Sequence, residues 1–229
     1  MGIGQAGGQR GGTCMWRQLV AGLVFTAMTG ASLGGEQSVL RLPPPQTEGG
    51  KPLMQALKLR QSAREFSPQA LPPQLLSNLL WAAAGINRPQ SGKRTAPSAR
   101  DWQEIDIYVA TAEAVYRYDA RDHLLRTVVA RDLRVLTGSQ DFVAQAPVNL
   151  VYVADLNRMR DASADQKDFY AAADAGFIAE NVYLFCASEG LAVVVRGSID
   201  REAFAAALGL APHQRVVLAQ TVGYPPARR

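Results

Sequence analysis

Hydrophobic and polar positions change period several times along this chain, and each change marks an element. In KPLMQALKLRQS, residues 51–62, Leu53, Leu57 and Arg60 recur at helical spacing behind Pro52. The pattern predicts a helix with proline in its first turn that ends near Arg60. LPPQLLSNLLWAAAGI, residues 71–86, puts Leu75, Leu76, Leu79, Leu80 and Ala83 on one helical face, with Gly85 available as the stop. The period then shortens. QEIDIYVAT, residues 103–111, alternates Ile105, Ile107 and Val109 against polar partners and reads as a strand. AVYRYDA, residues 114–120, follows as its hairpin neighbour across a turn near Glu113. PVNLVYVAD, residues 147–155, is an unbroken apolar run of strand length, suited to the middle of a sheet covered on both faces.

DFYAAADAGFIAENVYLFCASEG, residues 168–190, is the longest helical pattern. Ala172, Ala175, Gly176, Ala179 and Val182 line up small residues that would let another helix approach closely, within the subunit or across a subunit interface. Tyr170, Phe177, Tyr183 and Phe185 read as core residues at helical spacing. LAVVVRG, residues 191–197, and RVVLAQTVGYP, residues 215–225, read as strands separated by a helix from about Arg201 to Leu208. The predicted order is helix, helix, strand, strand, helix, strand, long helix, strand, helix, strand. That is an α+β arrangement, a mainly antiparallel sheet with helices packed about it.

Composition narrows the function classes. With 229 residues, 48% hydrophobic and 19% charged, the chain has the makeup of an ordinary globular protein with one good-sized domain. The net charge is +4, and Lys and Arg are interspersed with Asp and Glu, which argues against a nucleic-acid partner. Cys14 and Cys186 are the only cysteines, and His123 and His213 the only histidines, both in stretches that read as surface. That supply excludes a disulfide framework and a zinc or Cys–His constellation, and Cys186 reads as a buried free thiol.

MWRQLVAGLVFTAMTGASLGG, residues 15–35, has one Arg, an apolar run and then small residues, the layout of a secretory signal peptide whose run is too short to span a membrane. Residues 1–35 are therefore predicted to be an export signal, with translation starting at Met1 or Met15, and the mature chain to be periplasmic without a membrane span. Residues 36–50, rich in Pro and Gly, read as a linker or surface arm, and the globular domain as 51–229.

Two stretches carry candidate chemistry. If residues 60–64 are extended, Arg60, Ser62 and Arg64 share one side, and two guanidinium forks with a hydroxyl suit a phosphate. Ordinary surface arginines are the alternative. The second stretch is a long polar loop with Arg94, Thr95, Pro97, Ser98, Arg100 and Gln103 leading into a strand, of a length that is usually functional. Within it Trp102 is the aromatic side chain best placed to touch a ligand.

RQSAREF, LLWAAAGINRP, GKRTAPSARDWQEIDIYV, NVYLFCASEGLAVVVRG and QTVGYP, in that order across residues 51–226, resemble the nitroreductase superfamily of FMN-dependent oxidoreductases. The likeness is nearest to the branch with the azoline (thiazole/oxazole) dehydrogenases. It implies a nitroreductase-like fold and an intertwined homodimer, with the flavins at the interface and the helix around Ala175 and Gly176 in the dimer core. It also implies that Arg60, Gln61, Ser62 and Arg64 hold the FMN phosphate, and that Pro97 and Ser98 lie along the ring and ribityl chain, with Gln103 at the ring. Backbone N–H groups at Val195, Arg196 and Gly197 would sit near the reactive flavin nitrogen, where a donor stabilises negative charge on the reduced ring. Arg228, and behind it Arg229, would complete the phosphate site. The family's usual Asn after the Pro-Ser element is replaced here by Arg100-Asp101. The implied activity passes two electrons from NAD(P)H, or another donor, to a small organic acceptor such as a nitroaromatic, quinone or azoline. The cofactor carries that chemistry, so no catalytic side chain is singled out. Two further readings stay open: an exported flavin-binding protein without nicotinamide turnover, and a binding module for some other anion.

Overall fold

The computed structural model describes Met1 and residues 38–227. The predicted signal segment, apart from Met1, and the candidate residues Arg228 and Arg229 lie outside the described residues. In chain order the domain runs β1 Val39–Arg41, α1 Leu53–Leu59, α2 Pro73–Ala84, β2 Ile86–Arg88, β3 Lys93–Arg94, β4 Ile105–Ala110, β5 Val115–Asp119, β6 Leu124–Val129, α3 Phe142–Gln145, β7 Val148–Asp155, α4 Ala164–Glu189, β8 Ala192–Arg196, α5 Arg201–Leu208 and β9 Gln214–Gly223.

Seven strands form one sheet in the order β1-β6-β5-β4-β7-β9-β8, and the short β2–β3 hairpin stands apart from it. Every pairing in the large sheet is antiparallel. The apolar run of β7 lies between β4 and β9, with Tyr152 opposite Ile107 on one side and Leu218 on the other. Its side chains divide as a doubly covered strand requires. Val148, Leu150, Tyr152 and Ala154 join the core under α2 and α4, while Val151 and Val153 join the core under α5. The molecule thus has helices on both faces of the sheet.

α2 presents Leu76, Leu79, Leu80 and Ala83 to the sheet, as the periodicity predicts, and ends at Gly85. This glycine is extended, at φ −68°, so it is not a left-handed stop. It is required because a Cβ there would come within 2.4 Å of the Trp81 ring. α4 starts at a capping box, in which Ser163 Oγ accepts the Gln166 N–H and the Gln166 side chain accepts the Ser163 N–H. It ends on Gly190 in the left-handed region at φ 74°. Across the sheet, Tyr152 Oη donates to Gln220 Oε1, and Gln220 Nε2 donates to the Ala179 carbonyl at 3.1 Å, tying α4 down through a satisfied buried chain.

Three expectations are corrected. Between β5 and β7, where one helix is expected, the chain forms β6 as well as the short α3, because Leu124, Leu125, Thr127, Val128 and Val129 make a short apolar and β-branched run with partners on both sides in β5 and β1. The predicted linker at 36–50 belongs to the domain from residue 39: β1 pairs with β6, and the Pro-rich stretch is held on α2, with Ser77 Oγ donating to the Pro43 carbonyl at 2.6 Å. His123 is half-buried, its ring within 2.7 Å of Ser77 Oγ and 2.9 Å of Tyr118 Oη, and burial lowers its pKa.

Candidate functional site

After α1 the chain leaves helical geometry at Arg60 and runs along the outer edge of β8. Ala63 N–H donates to the Val193 carbonyl at 2.9 Å, and Ser67 N–H to the Tyr224 carbonyl at 2.8 Å. Tyr183 of α4 organises the segment. Its ring lies 5.3 Å from the Arg60 guanidinium carbon, and its hydroxyl is 2.8 Å from Ser62 Oγ and accepts the Val195 N–H at 2.9 Å. Arg64 and Gln61 are exposed, and Arg60 is half-buried. Among the described residues no carboxylate lies within ion-pair distance of Arg60 or Arg64. Of the three side chains expected to share one side, Arg60 and Ser62 meet at Tyr183, and Arg64 is exposed. A cavity of about 430 Å³ lies beside the segment, lined by Lys51, Gln61, Ala63, Tyr183, Cys186 and Val193. Cys186 is fully buried there, and burial pushes its thiol pKa well up.

Residues 195–197 divide by role. Alternation along the strand turns the Val193 carbonyl and Val195 N–H to the outer edge, and Tyr183 already occupies the latter. The Gly197 N–H is next on that edge, so of the three expected backbone donors it is the one the geometry leaves open. Arg196 turns inward. Its guanidinium donates to Thr221 Oγ1 at 3.1 Å, the Thr137 carbonyl at 2.7 Å and Asn149 Oδ1 at 3.0 Å, with no carboxylate partner, and burial pushes its pKa down to about 10.

The second stretch lies farther along α4, toward its N-terminus. Ser98 Oγ donates to Glu104 Oε2 at 3.2 Å and accepts the Gln103 N–H at 2.8 Å, while the Ala99 N–H donates to Asp174 Oδ2 at 2.8 Å. Arg100, Asp101 and Gln103 all hold positive φ, at 49°, 58° and 49°. Non-glycine residues there cost on the order of 1–3 kcal/mol each and persist only where the surroundings over-determine them. Here they do. Arg100 pairs with Asp161 at 2.6 Å, Trp102 Nε1 donates to the same carboxylate at 3.0 Å, Arg158 donates to the Gln103 carbonyl at 2.8 Å, and Gln103 Nε2 donates to Asp101 Oδ1 at 3.0 Å. Pro97, Ser98, Arg100 and Gln103 border an open cleft of about 460 Å³ shared with Arg88, Lys93 and Arg94.

The two halves meet α4 at Tyr183 and at Asp174, nine residues or about 14 Å apart along the helix axis at ~1.5 Å per residue. The edge carrying Arg60 and Ser62 therefore sits at one level of the long helix and a strained polar loop at another. The family model described as Nitroreductase family matches residues 57–224, which takes in both halves. The chain belongs to the nitroreductase family.

Individual relatives agree. A candidate nitroreductase of Methanocaldococcus jannaschii is 32% identical over 149 residues, covering 61% of this chain and 75% of that protein. The crystal structure of a candidate nitroreductase from Ralstonia eutropha is 46% identical, covers 85% of this chain and 93% of its own, and superposes with a TM-score of 0.80. A chain of the Escherichia coli microcin synthetase McbBCD complex, 17% identical with a TM-score of 0.66, covers 92% of this chain and 85% of its own and shares the fold. This nitroreductase is accordingly an oxidoreductase of a flavin-dependent family whose members are generally dimeric. Among the described residues no helix is long and apolar enough to cross a membrane.

The residues present fit a flavin phosphate: two guanidinium groups without a carboxylate partner among the described residues, a serine hydroxyl between them in sequence and an open backbone donor close by on the same strand edge. Sequence reasoning passed over Tyr183, read as core, and Glu104, read as the polar side of a strand. Tyr183 is buried, and the signal for its second role is that a buried tyrosine hydroxyl needs a partner. Glu104 is completely buried because it stands just before β4, enclosed between the 97–103 loop and α4.

The small-residue face of α4 is also corrected in part. Ala175, Ala179 and Val182 face the protomer's own core, and the exposed side carries Ala172 and Gly176 with Phe169 and Phe177. On neighbouring α1, Leu53, Met54, Leu57 and Leu59 are exposed.

Proposed function

We propose that this nitroreductase is an FMN-dependent homodimer that passes two electrons from NADH, NADPH or another donor to a small organic acceptor such as a nitroaromatic, quinone or azoline. FMN, when bound, supplies the two-electron chemistry. Arg60, Arg64 and Ser62 bind its phosphate, the Gly197 N–H donates toward the ring, and the Pro97–Gln103 loop covers it. Because the loop and the phosphate patch meet different levels of α4, the loop that completes each site comes from the second copy. Exposed apolar side chains on α1 and α4, Leu53, Met54, Phe169 and Phe177 among them, provide a surface for that copy. The observation that carries the reading is the pair of guanidinium groups without carboxylate partners on the edge of β8. Export of the chain, with residues 1–35 as its signal, belongs to the same proposal, and the N-terminal sequence of the mature protein checks it.

The test is the visible spectrum of the protein lacking residues 1–35, before and after FMN is added. Bound-flavin peaks are expected, and Arg60→Ala with Arg64→Ala should weaken FMN binding by about 100-fold or more, since each charge-assisted hydrogen bond contributes about 1.5–3 kcal/mol. A folded protein that binds no flavin overturns the proposal. Loss of the flavin colour on adding NADH or NADPH separates an enzyme from a flavin carrier without nicotinamide turnover, a second reading motivated by Arg100-Asp101.

A further inference from the structure

Glu104 and Asp174 are 0% and 2% exposed and line the same small cavity between the 97–103 loop and α4. Neither has an ion-pair partner among the described residues. Glu104 Oε2 accepts from Ser98 and Asp174 Oδ2 from the Ala99 N–H, but Glu104 Oε1 is buried without a hydrogen-bond partner, as is Arg94 Nε on the same cavity. Two bare carboxylates bordering one small buried cavity repel each other and lack the solvent that would stabilise them. One proton held between them removes the repulsion and supplies the donor that Oε1 lacks.

We propose that Glu104 and Asp174 share a single proton, and that this proton holds the 97–103 loop in its strained conformation. Both are positioning residues. Each carboxyl group bonds the loop at one point, Ser98 or Ala99, and these anchors stand directly before the run of positive-φ residues. Loss of the proton would leave two anions pushing apart beneath the loop. Burial, with Asp174 adding to it, raises the pKa of Glu104 to about 7. A raised folded-state value sets the sign: the hold is full below the ordinary carboxylate range and is lost as pH rises through about 7.

The other charged groups around the pair are accounted for. Arg94 of β3 lines the small cavity that both carboxyl groups border, and burial lowers its pKa. Arg158 reaches the loop but is paired with Asp106 at 2.8 Å and Asp155 at 3.4 Å. Asp101 and the Arg100–Asp161 pair belong to the exposed side of the loop. His213 lies 3.7 Å from Asp155, whose N–H donates to the Glu104 carbonyl, so it is the group whose own titration must be separated. The proposal does not rest on the cofactor assignment.

Trp102, in the loop and packed edge-on against Tyr170 at 5.8 Å, reports the loop's state. Its fluorescence in the full chain, isolated by subtracting the Trp102→Phe variant, would be followed from about pH 5.5 to 8.5, a range in which ordinary carboxylates have already titrated. The expected result is a shift with a midpoint near 7 that disappears in Glu104→Gln, where an amide donates permanently, and persists in His213→Gln. Infrared spectroscopy of the wild-type protein needs no variant to fold: a protonated-carboxyl stretch should be present at about pH 6 and lost by about pH 8. A Trp102 titration unchanged by Glu104→Gln, or a wild-type spectrum with no such band at about pH 6, overturns the proposal.

Discussion

Tyr183 Oη accepts the Val195 N–H and meets Ser62 Oγ, so Tyr183→Phe keeps the ring beneath Arg60 while stripping two polar groups of their partner. Leaving a part-buried amide unpaired costs about 1–3 kcal/mol. The variant should therefore melt several degrees lower, at roughly 2–4 °C per kcal/mol for a domain of this size. It should also bind FMN more weakly, because Ser62 loses its fixed position. Thermal melts and flavin titration of the same preparations check both effects. At this scale the sequence disclosed the exposed cations and left the buried polar groups hidden. Arg60, Ser62 and Arg64 stand out by their alternation, although that spacing alone also fits ordinary surface arginines. Glu104 does not, because its position in QEIDIYV is that of a solvent-facing residue until the 97–103 loop and α4 prove to enclose it.

At the scale of elements, the strongly periodic segments were legible and the short ones were not. α2, α4, β4 and β7 follow their patterns closely. β6 and β1 escaped because six and three residues of apolar or mixed character acquire strand identity from their neighbours. The end of α2 shows how a correct reading can rest on a different cause. Gly85 stops the helix as expected, yet its role is clearance for Trp81, not access to a left-handed conformation. Gly85→Ala should destabilise the domain by about 1–3 kcal/mol through overpacking, as measured by urea denaturation, although alanine is normally the better residue wherever φ is negative.

For the whole molecule, the proposed dimer turns on how α4 divides its two faces. The split of α4 into a face turned toward the sheet and an exposed face bearing Phe169 and Phe177 was not readable from residue size, since small residues lie on both. Sedimentation of the wild-type protein should give a dimer. Phe169→Glu with Phe177→Glu should shift it to monomer, leave far-ultraviolet circular dichroism unchanged and remove flavin binding together with dimerisation. Loss of the dimer with flavin affinity retained would place each site within one chain.

The lie of residues 60–67 along β8 has a further consequence. A seven-stranded sheet has two margins, and each is a template on which another chain could add strands. One margin here is β1, only three residues long and ending in Arg41, and the other is β8, whose outward carbonyl at Val193 and amide at Val195 are taken by Ala63 and Tyr183. The segment that carries Arg60 and Arg64 therefore also covers a margin on which foreign strands could add, so a change made there to test the proposed phosphate site acts on the sheet edge as well.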